Sequence, residues 1–311
     1  MPRRGLSPAA LEQVRTSVAP DARIVRVRPM GGGISCIVHA VRLATTDGGR
    51  HGVVVRRYGA YAQEHDVGSW EREYLLLREL SDSGQPVPRP LALHGTDSCF
   101  GAPTILMELV AGRPDLAPRN VREHLRQLAE TLFAFHRLPV ERFGFLPDQE
   151  RWVEQRLRPE RAPHEDPLRQ AVWAAAQQVR PRGHTGRRAL VHADYWPGNV
   201  LSRRGRLVSV VDWEISCIGD PTQDVATCRG DVSVLFCIEA ANWFRDAYVA
   251  AGGNVDTLAF WDLVNLDTAL AEMTEWAAAY PRLGRRDVTP ALAVERIRIF
   301  AEAILDATMG A

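Results

Sequence analysis

Residues 190–220 read LVHADYWPGNVLSRRGRLVSVVDWEISCIGD, and within them Asp194, Asn199 and Asp212 stand in the order that phosphoryl transfer from a metal-bound nucleotide requires. That chemistry needs one carboxylate to meet the acceptor hydroxyl, with an amide and a second carboxylate to hold metal against the phosphate charge. Leu190 and Val191 form an apolar strand end, after which His192 opens a loop that Pro197 and Gly198 keep from becoming a helix. Asp194 is thereby presented with its carboxylate free and is the candidate base. Asn199 begins the apolar run Val200-Leu201 and offers a neutral oxygen ligand that adds no negative charge beside Asp194. Arg203-Arg204-Gly205 predicts a turn, and Leu207 to Val211 a strand that delivers Asp212 as the metal carboxylate, so one hairpin brings both carboxylates together. Either carboxylate alone would be an ordinary strand-end turn former. A zinc site is excluded nearby, because no His-x-x-x-His, Cys-x-x-Cys or carboxylate-histidine cluster accompanies His192.

HADYWPGNVL followed by VVDWE and GDPTQDVA resembles the catalytic loop, metal-binding segment and following helix start of the aminoglycoside phosphotransferase and choline kinase-like family of small-molecule kinases. The resemblance implies an α+β, protein-kinase-like two-lobe fold, with a small β-rich N-terminal lobe and a larger, mostly helical C-terminal lobe. Residues 1–108, with an N-terminal helix, would form the nucleotide-binding lobe and residues 109–311 the catalytic and substrate-binding lobe. ATP, with GTP left open, and Mg2+ are the implied cofactors. Against the family's usual His-Gly-Asp this chain has Ala193, which removes backbone freedom but no reacting group. Protein kinases fit less well: Asp212-Trp213-Glu214 replaces Asp-Phe-Gly, and no Ala-Pro-Glu segment follows.

The elements that must hold the nucleotide precede this loop. Ile24 to Arg28 predicts a strand, Met30 to Ser35 a glycine-rich turn and Ile37 to Leu43 the returning strand, so Gly31, Gly32, Gly33 and Ser35 are the candidates for backbone approach to phosphate. Asp47-Gly48-Gly49 turns the chain into His51 to Tyr58, whose valine run ends in Arg56-Arg57. The sequence contains no lysine, so all 38 of its Lys+Arg residues are arginine, an excess that a GC-rich genome produces. A Walker A loop is therefore excluded. Arg56 stands where the family's phosphate-anchoring cation would be, and its planar fork can grip phosphate bidentately. Arg57 should face the other side of the strand. Ser69 is the expected N-cap of an amphipathic helix in which Glu73, preferred over Glu71, resembles the glutamate that pairs with the strand cation. Pro103 to Glu108 predicts a buried strand, and Glu108 and Val110 fall where the family's adenine-binding hinge lies.

The second half predicts helices over 121–138, 167–180, 234–251, 256–280 and 290–309, each with apolar positions recurring every three or four residues. His136 ends the first of these and is expected to be structural. Residues 151–186, rich in Arg, Pro and His, are expected to form a partly mobile insertion. The 311 residues are 46% apolar and 24% charged, enough for two cores, and the formal net charge of zero gives no reason to expect a nucleic-acid partner. Five cysteines without metal spacing are expected as thiols, and the lack of a signal-like or membrane-length apolar run predicts a cytoplasmic enzyme. Residues 232–311 hold eleven acidic against six basic residues, a net −5, among them Asp267, Glu272 and Glu275 as candidate contacts to an aminated substrate. The expected reaction is phosphorylation of a small-molecule hydroxyl, on an aminoglycoside-like amino sugar or else a macrolide, choline-type or other metabolite alcohol. The competing reading is a nucleotide-binding pseudokinase without turnover.

Overall fold

A computed structural model describes residues 5–31, 36–163, 165–181 and 188–310. The chain divides into two compact units, one of residues 1–112 with 208–214, the other of residues 113–207 with 215–311.

The first unit opens with α1 (Pro8–Val18), started by Ser7, whose hydroxyl accepts the Ala10 N–H at 3.1 Å. Pro8 fits the first helical position because its missing N–H is not needed there. Then come β1 (Arg23–Met30), β2 (Cys36–Ala44), β3 (Arg50–Tyr58), the short α2 (Ala60–His65), α3 (Ser69–Asp82), β4 (Pro90–His94) and β5 (Thr104–Glu108). The five strands pair antiparallel in the order β1-β2-β3-β5-β4. The β2–β3 turn closes through Gly48 at φ 86°, with the Thr45 N–H donating to Gly49 O at 2.9 Å. Alternation along β3 assigns its faces: Val53 and Val55 join Val41, Leu43 and Leu106 in a core with Ala10 and Val14 of α1, while Arg56 takes the opposite side. Each fully buried valine there contributes on the order of 1.5–2 kcal/mol of transfer free energy. Residues 208–214 attach through the Val210 N–H, which donates to Pro86 O at 2.7 Å.

One local expectation changes. Ser69 is not the cap of α3 but its first residue; Gly68, left-handed at φ 86°, is the cap, and Ser69 is fully buried. The segment between β3 and α3 holds the short α2.

The second unit contains β6 (Arg113–Pro114), α4 (Val121–His136), α5 (Gln149–Arg156), α6 (Pro167–Gln178), β7 (Ala189–Val191), β8 (Val200–Arg203), β9 (Arg206–Val210), β10 (Cys217–Gly219), α7 (Thr222–Leu235), α8 (Ile238–Ala250), α9 (Leu258–Ala277) and α10 (Pro290–Met309). β9 starts in this unit and ends in the segment that belongs to the first. The predicted turn lies between β8 and β9, with Arg204 at φ 53° and Gly205 at φ 74°, two successive left-handed residues of the kind a tight hairpin needs. β7 and β10 pair antiparallel, which brackets residues 192–216 between two short strands. The helix expected over 234–251 is in fact the end of α7 and the whole of α8, broken at Phe236 and Cys237. The apolar run through the break contains no Gly or Pro, so periodicity reads straight across it. The expected insertion 151–186 includes most of α5 and all of α6, which packs against α9 and α10.

Candidate functional site

On the first unit, β3 ends by burying Arg56 among three carboxylates. Its Nε lies 3.2 Å from Glu73 Oε2, and its Nη2 donates to Asp212 Oδ1 at 2.6 Å and to Glu214 Oε2 at 2.8 Å. The Tyr58 hydroxyl donates to Glu73 in a short hydrogen bond, and the Cys36 thiol reaches Glu214 at 3.7 Å. Burial works against the Arg56 charge, but Asp212 and Glu73 more than reverse it, so the guanidinium is held firmly protonated. Glu73 responds oppositely: burial pushes its carboxyl up to about 7, although Arg56 opposes the shift. Glu71, the other candidate partner, is exposed. Asp212 itself sits at φ 69°, a left-handed backbone that non-glycine residues take only where surrounding contacts impose it. Trp213 supplies such a contact, since its buried indole donates Nε1–H to Val210 O at 3.1 Å.

On the second unit, the loop after β7 is held by a residue the sequence reading did not single out. Asp224 of α7 has no solvent exposure, and its carboxylate accepts the backbone N–H groups of His192 and Ala193, each at 2.8 Å. His136, at the end of α4, contacts Asp224 Oδ2 through Nε2 at 3.0 Å and the Tyr248 hydroxyl through Nδ1 at 2.7 Å, which fits its expected structural role. Ala193 takes φ 67° under this grip, so the position where the family has glycine is one where glycine's freedom matters. Asp194 is half-buried; its N–H donates to His192 Nδ1 at 3.2 Å. The Asn199 amide donates to Asp194 twice, to the backbone O at 2.9 Å and to Oδ2 at 2.8 Å. Gly198 is required by contact: a Cβ there would come within 2.1 Å of the Trp196 ring.

The remaining candidates fall elsewhere. Gly31 is exposed at the end of β1, whereas Gly32, Gly33 and Ser35 lie outside the described residues. The Glu108 side chain is exposed and accepts from Arg89 Nη2 at 2.6 Å, and its N–H donates to Arg89 O at 2.9 Å. Glu108 and Val110 border a cavity of about 510 Å³ shared with Ser17 and Val18 of α1, rather than with α3, which carries Glu73. Asp267 is not an open acceptor of substrate charge, because Arg169 reaches its Oδ1 through Nε and Nη2 at 3.1 and 3.0 Å. Glu272 and Glu275 are exposed on α9. Asp224 had one legible signal, its place in GDPTQDVA, but nothing in that string says that its carboxylate turns back onto the loop backbone.

No group of three or more His, Cys, Asp and Glu stands ready for a metal among the described residues. The donors still suit magnesium, which takes one or two protein oxygens and completes its shell with phosphate and water. On the second unit Asn199 commits its nitrogen to Asp194 and keeps Oδ1 as an oxygen donor; on the first unit Asp212 carries a carboxylate, whose Oδ1 accepts from Arg56.

Residues 35–264 match the profile of the phosphotransferase enzyme family. A Ralstonia eutropha JMP134 protein named as a candidate aminoglycoside phosphotransferase superposes with a TM-score of 0.67 at 21% identity, over 96% of this chain and 97% of that one. A thermostable mutant of aminoglycoside phosphotransferase APH(4)-Ia, in ternary complex with AMP-PNP and hygromycin B, gives 0.65 at 18% identity, over 96% and 99%. At such identities the likeness establishes the fold, a protein-kinase-like one. Acyl-CoA dehydrogenase family member 10 of Mus musculus is 28% identical over 175 residues, which are 50% of this chain but 16% of that protein.

Proposed function

The chain belongs to the phosphotransferase enzyme family, and from that footing we propose that it moves the γ-phosphoryl group of ATP to a hydroxyl of a small molecule. The observation that carries the reading is the loop built around Asp194: Asp224 fixes its backbone, and Asn199 fixes the carboxylate. Asp194 is assigned as the base that orients the acceptor hydroxyl and takes its proton, a role worth about 10²–10⁴-fold. Arg56, positioned by Glu73, is assigned to the phosphates, with backbone donors at Gly31, Gly32, Gly33 and Ser35 and hinge contacts at Glu108 and Val110. Asn199 and Asp212 would hold Mg2+, which when bound neutralises phosphate charge. In this division of labour the first unit handles nucleotide and the second the acceptor. The ternary complex of the APH(4)-Ia relative supports both a nucleotide and a hydroxylated acceptor. A cytoplasmic setting suits an ATP-dependent enzyme whose five cysteines are free thiols.

The leading acceptor is an amino sugar. A second reading is an alcohol carried on an acyl-CoA, favoured because the matched curated relatives bear acyl-CoA dehydrogenase names. ADP release by the purified chain, measured with amino sugars, macrolides, choline-type alcohols and hydroxyacyl-CoA thioesters, tests both readings. Asp194→Asn should bind ATP as before and turn over about 10²-fold more slowly. Nucleotide binding with no turnover on any acceptor would establish the pseudokinase instead.

A further inference from the structure

The cavity of about 510 Å³ in the first unit serves none of the transfer chemistry. Strand register fixes the face of the sheet on which it opens. Glu108 stands directly opposite Val53 across the β3–β5 ladder, and side chains opposed in this way share a face. Val53 packs in the core with α1, whereas Arg56, three residues further along β3, lies on the other face with Glu73. The Glu108 side chain therefore takes the α1 face, away from the Arg56 cluster, while its backbone stays open to the nucleotide reading. Ser17 of α1, Arg50 and His51 of β3, Arg89 just before β4 and Glu108 all line the cavity. Backbone bonds tie its walls together: the Glu108 N–H donates to Arg89 O and the Leu109 N–H to Gly52 O, each at 2.9 Å. Glycine is needed for that approach, since a Cβ at Gly52 would come within 2.8 Å of Leu109 Cβ.

The polar groups of the lining are only partly used. Glu108 Oε1 accepts from Arg89 Nε at 3.0 Å and from Nη2 at 2.6 Å, which leaves Glu108 Oε2 and Arg89 Nη1 without a hydrogen bond among the described residues. The Arg50 guanidinium has neither a hydrogen bond nor an ion pair among the described residues. Ser17 Oγ accepts from Gln13 Nε2 at 3.1 Å and keeps its proton to donate. Two guanidiniums thus stand against one carboxylate, and the C-terminus of α1 subtracts about half an elementary charge, so the lining stays positive. Arg50, His51, Arg89 and Glu108 are exposed, and a solute reaches them directly from solvent. Arginine forks match the oxygens of phosphate, while a carboxylate oxygen and a serine hydroxyl beside them suit alcohol groups. The volume falls within the range of about 300–1,000 Å³ that organic ligands fill, and a bare ion would leave most of it empty.

We propose that this cavity is a binding site for a small organic phosphate monoester that also carries hydroxyl groups, its phosphate held by Arg50 and Arg89 and its hydroxyls by Glu108 Oε2 and Ser17. The site lies behind the strand end that leads to the hinge, on the face of the sheet opposite Arg56, so ester and nucleotide occupy the chain together. The inference goes beyond the transfer reaction and does not depend on it.

Calorimetric titration of the chain with glucose 6-phosphate, ethyl phosphate and inorganic phosphate, each with and without saturating ADP, tests the site without reference to turnover. Glucose 6-phosphate should bind wild type more tightly than the other two, and equally well with ADP present. Arg50→Gln and Arg89→Gln should each weaken it at least about tenfold, the loss of one charge-assisted contact. Arg50→Lys keeps the charge without the fork and should lose less. No binding of glucose 6-phosphate by wild type overturns the proposal. So does binding that neither glutamine variant weakens, because the ester then sits elsewhere, and so does displacement by ADP, because it then sits in the nucleotide site. Ethyl phosphate or inorganic phosphate binding as tightly as glucose 6-phosphate overturns the hydroxylated ester as the ligand class. Both arginines are exposed, and surface ion pairs contribute little to stability, so thermal unfolding of the variants should match wild type. Matching unfolding shows that the affinity changes report recognition; should a glutamine variant unfold early, the comparison of Arg50→Lys with wild type decides, and equal affinity for glucose 6-phosphate and ethyl phosphate in both overturns the proposal.

Discussion

Replacing Asp224 by asparagine should damage both stability and turnover, although Asp224 is assigned no reacting atom. Its carboxylate accepts two backbone N–H groups at 2.8 Å and faces His136 Nε2 at 3.0 Å, all without solvent. Hydrogen bonds to a charged group contribute about 1.5–3 kcal/mol each. An asparagine keeps one acceptor oxygen but turns an NH2 toward a group that also donates, so at least one bond is lost and one donor is left buried. The expected cost is about 2–4 kcal/mol of unfolding free energy. The same two bonds hold Ala193 at φ 67°, a conformation that costs a non-glycine residue about 1–2 kcal/mol. With that grip weakened, Ala193 relaxes and moves Asp194, and a displacement near 1 Å lowers turnover by about 10²-fold. Ala193→Gly in the intact background removes the strain while adding about 0.5–1 kcal/mol of chain entropy cost, so a gain of up to about 1.5 kcal/mol is expected. Urea unfolding and steady-state ADP release on both variants are the measurements. An Asp224→Asn chain within about 0.5 kcal/mol of wild type, with unchanged kcat, would refute the argument.

Arg56→Ala should destabilise the first unit by about 3–5 kcal/mol, since it leaves Glu73 and its neighbours buried without their cation, and should raise the ATP requirement in a nucleotide titration; Arg57→Ala should leave that requirement near wild type. Arg56→Lys should recover part of the ATP affinity, but a single ammonium cannot match the fork that reaches Glu73, Asp212 and Glu214 together. Glu73 has a folded pKa of about 7 against 4.5 as its ordinary value. The folded chain therefore binds the extra proton between those values, and stability conferred by this group falls as pH rises from about 4.5 to 7. Wild-type minus Glu73→Gln unfolding free energy should decline across that window, and a flat difference would remove the shift. Asp212→Ala should weaken Mg-ATP binding and abolish turnover, with unchanged magnesium dependence as the contrary result.

Much of this protein was legible from residue order because the relevant constraints are local. The strand-turn-strand at β8 and β9 follows from Arg204-Gly205 between two apolar runs, and α10 begins and ends where its periodicity does, capped by Thr289. The positions of Asp194, Asn199, Asp212 and Arg56 were likewise visible, since their spacing is fixed along short stretches of chain. Helix boundaries set by packing were not: α7 and α8 separate inside an unbroken apolar run, and Gly68 rather than Ser69 caps α3. Tertiary structure alone decided which charges are satisfied. It paired Asp267 with Arg169, gathered Glu214 with Glu73 and Asp212 around one arginine, and turned Asp224 back onto a loop 31 residues earlier. Sequence fixes which groups a chain carries and the period of each element. Whether a buried charge finds its complement depends on contacts between residues tens to more than a hundred positions apart, and these exist only after the elements pack.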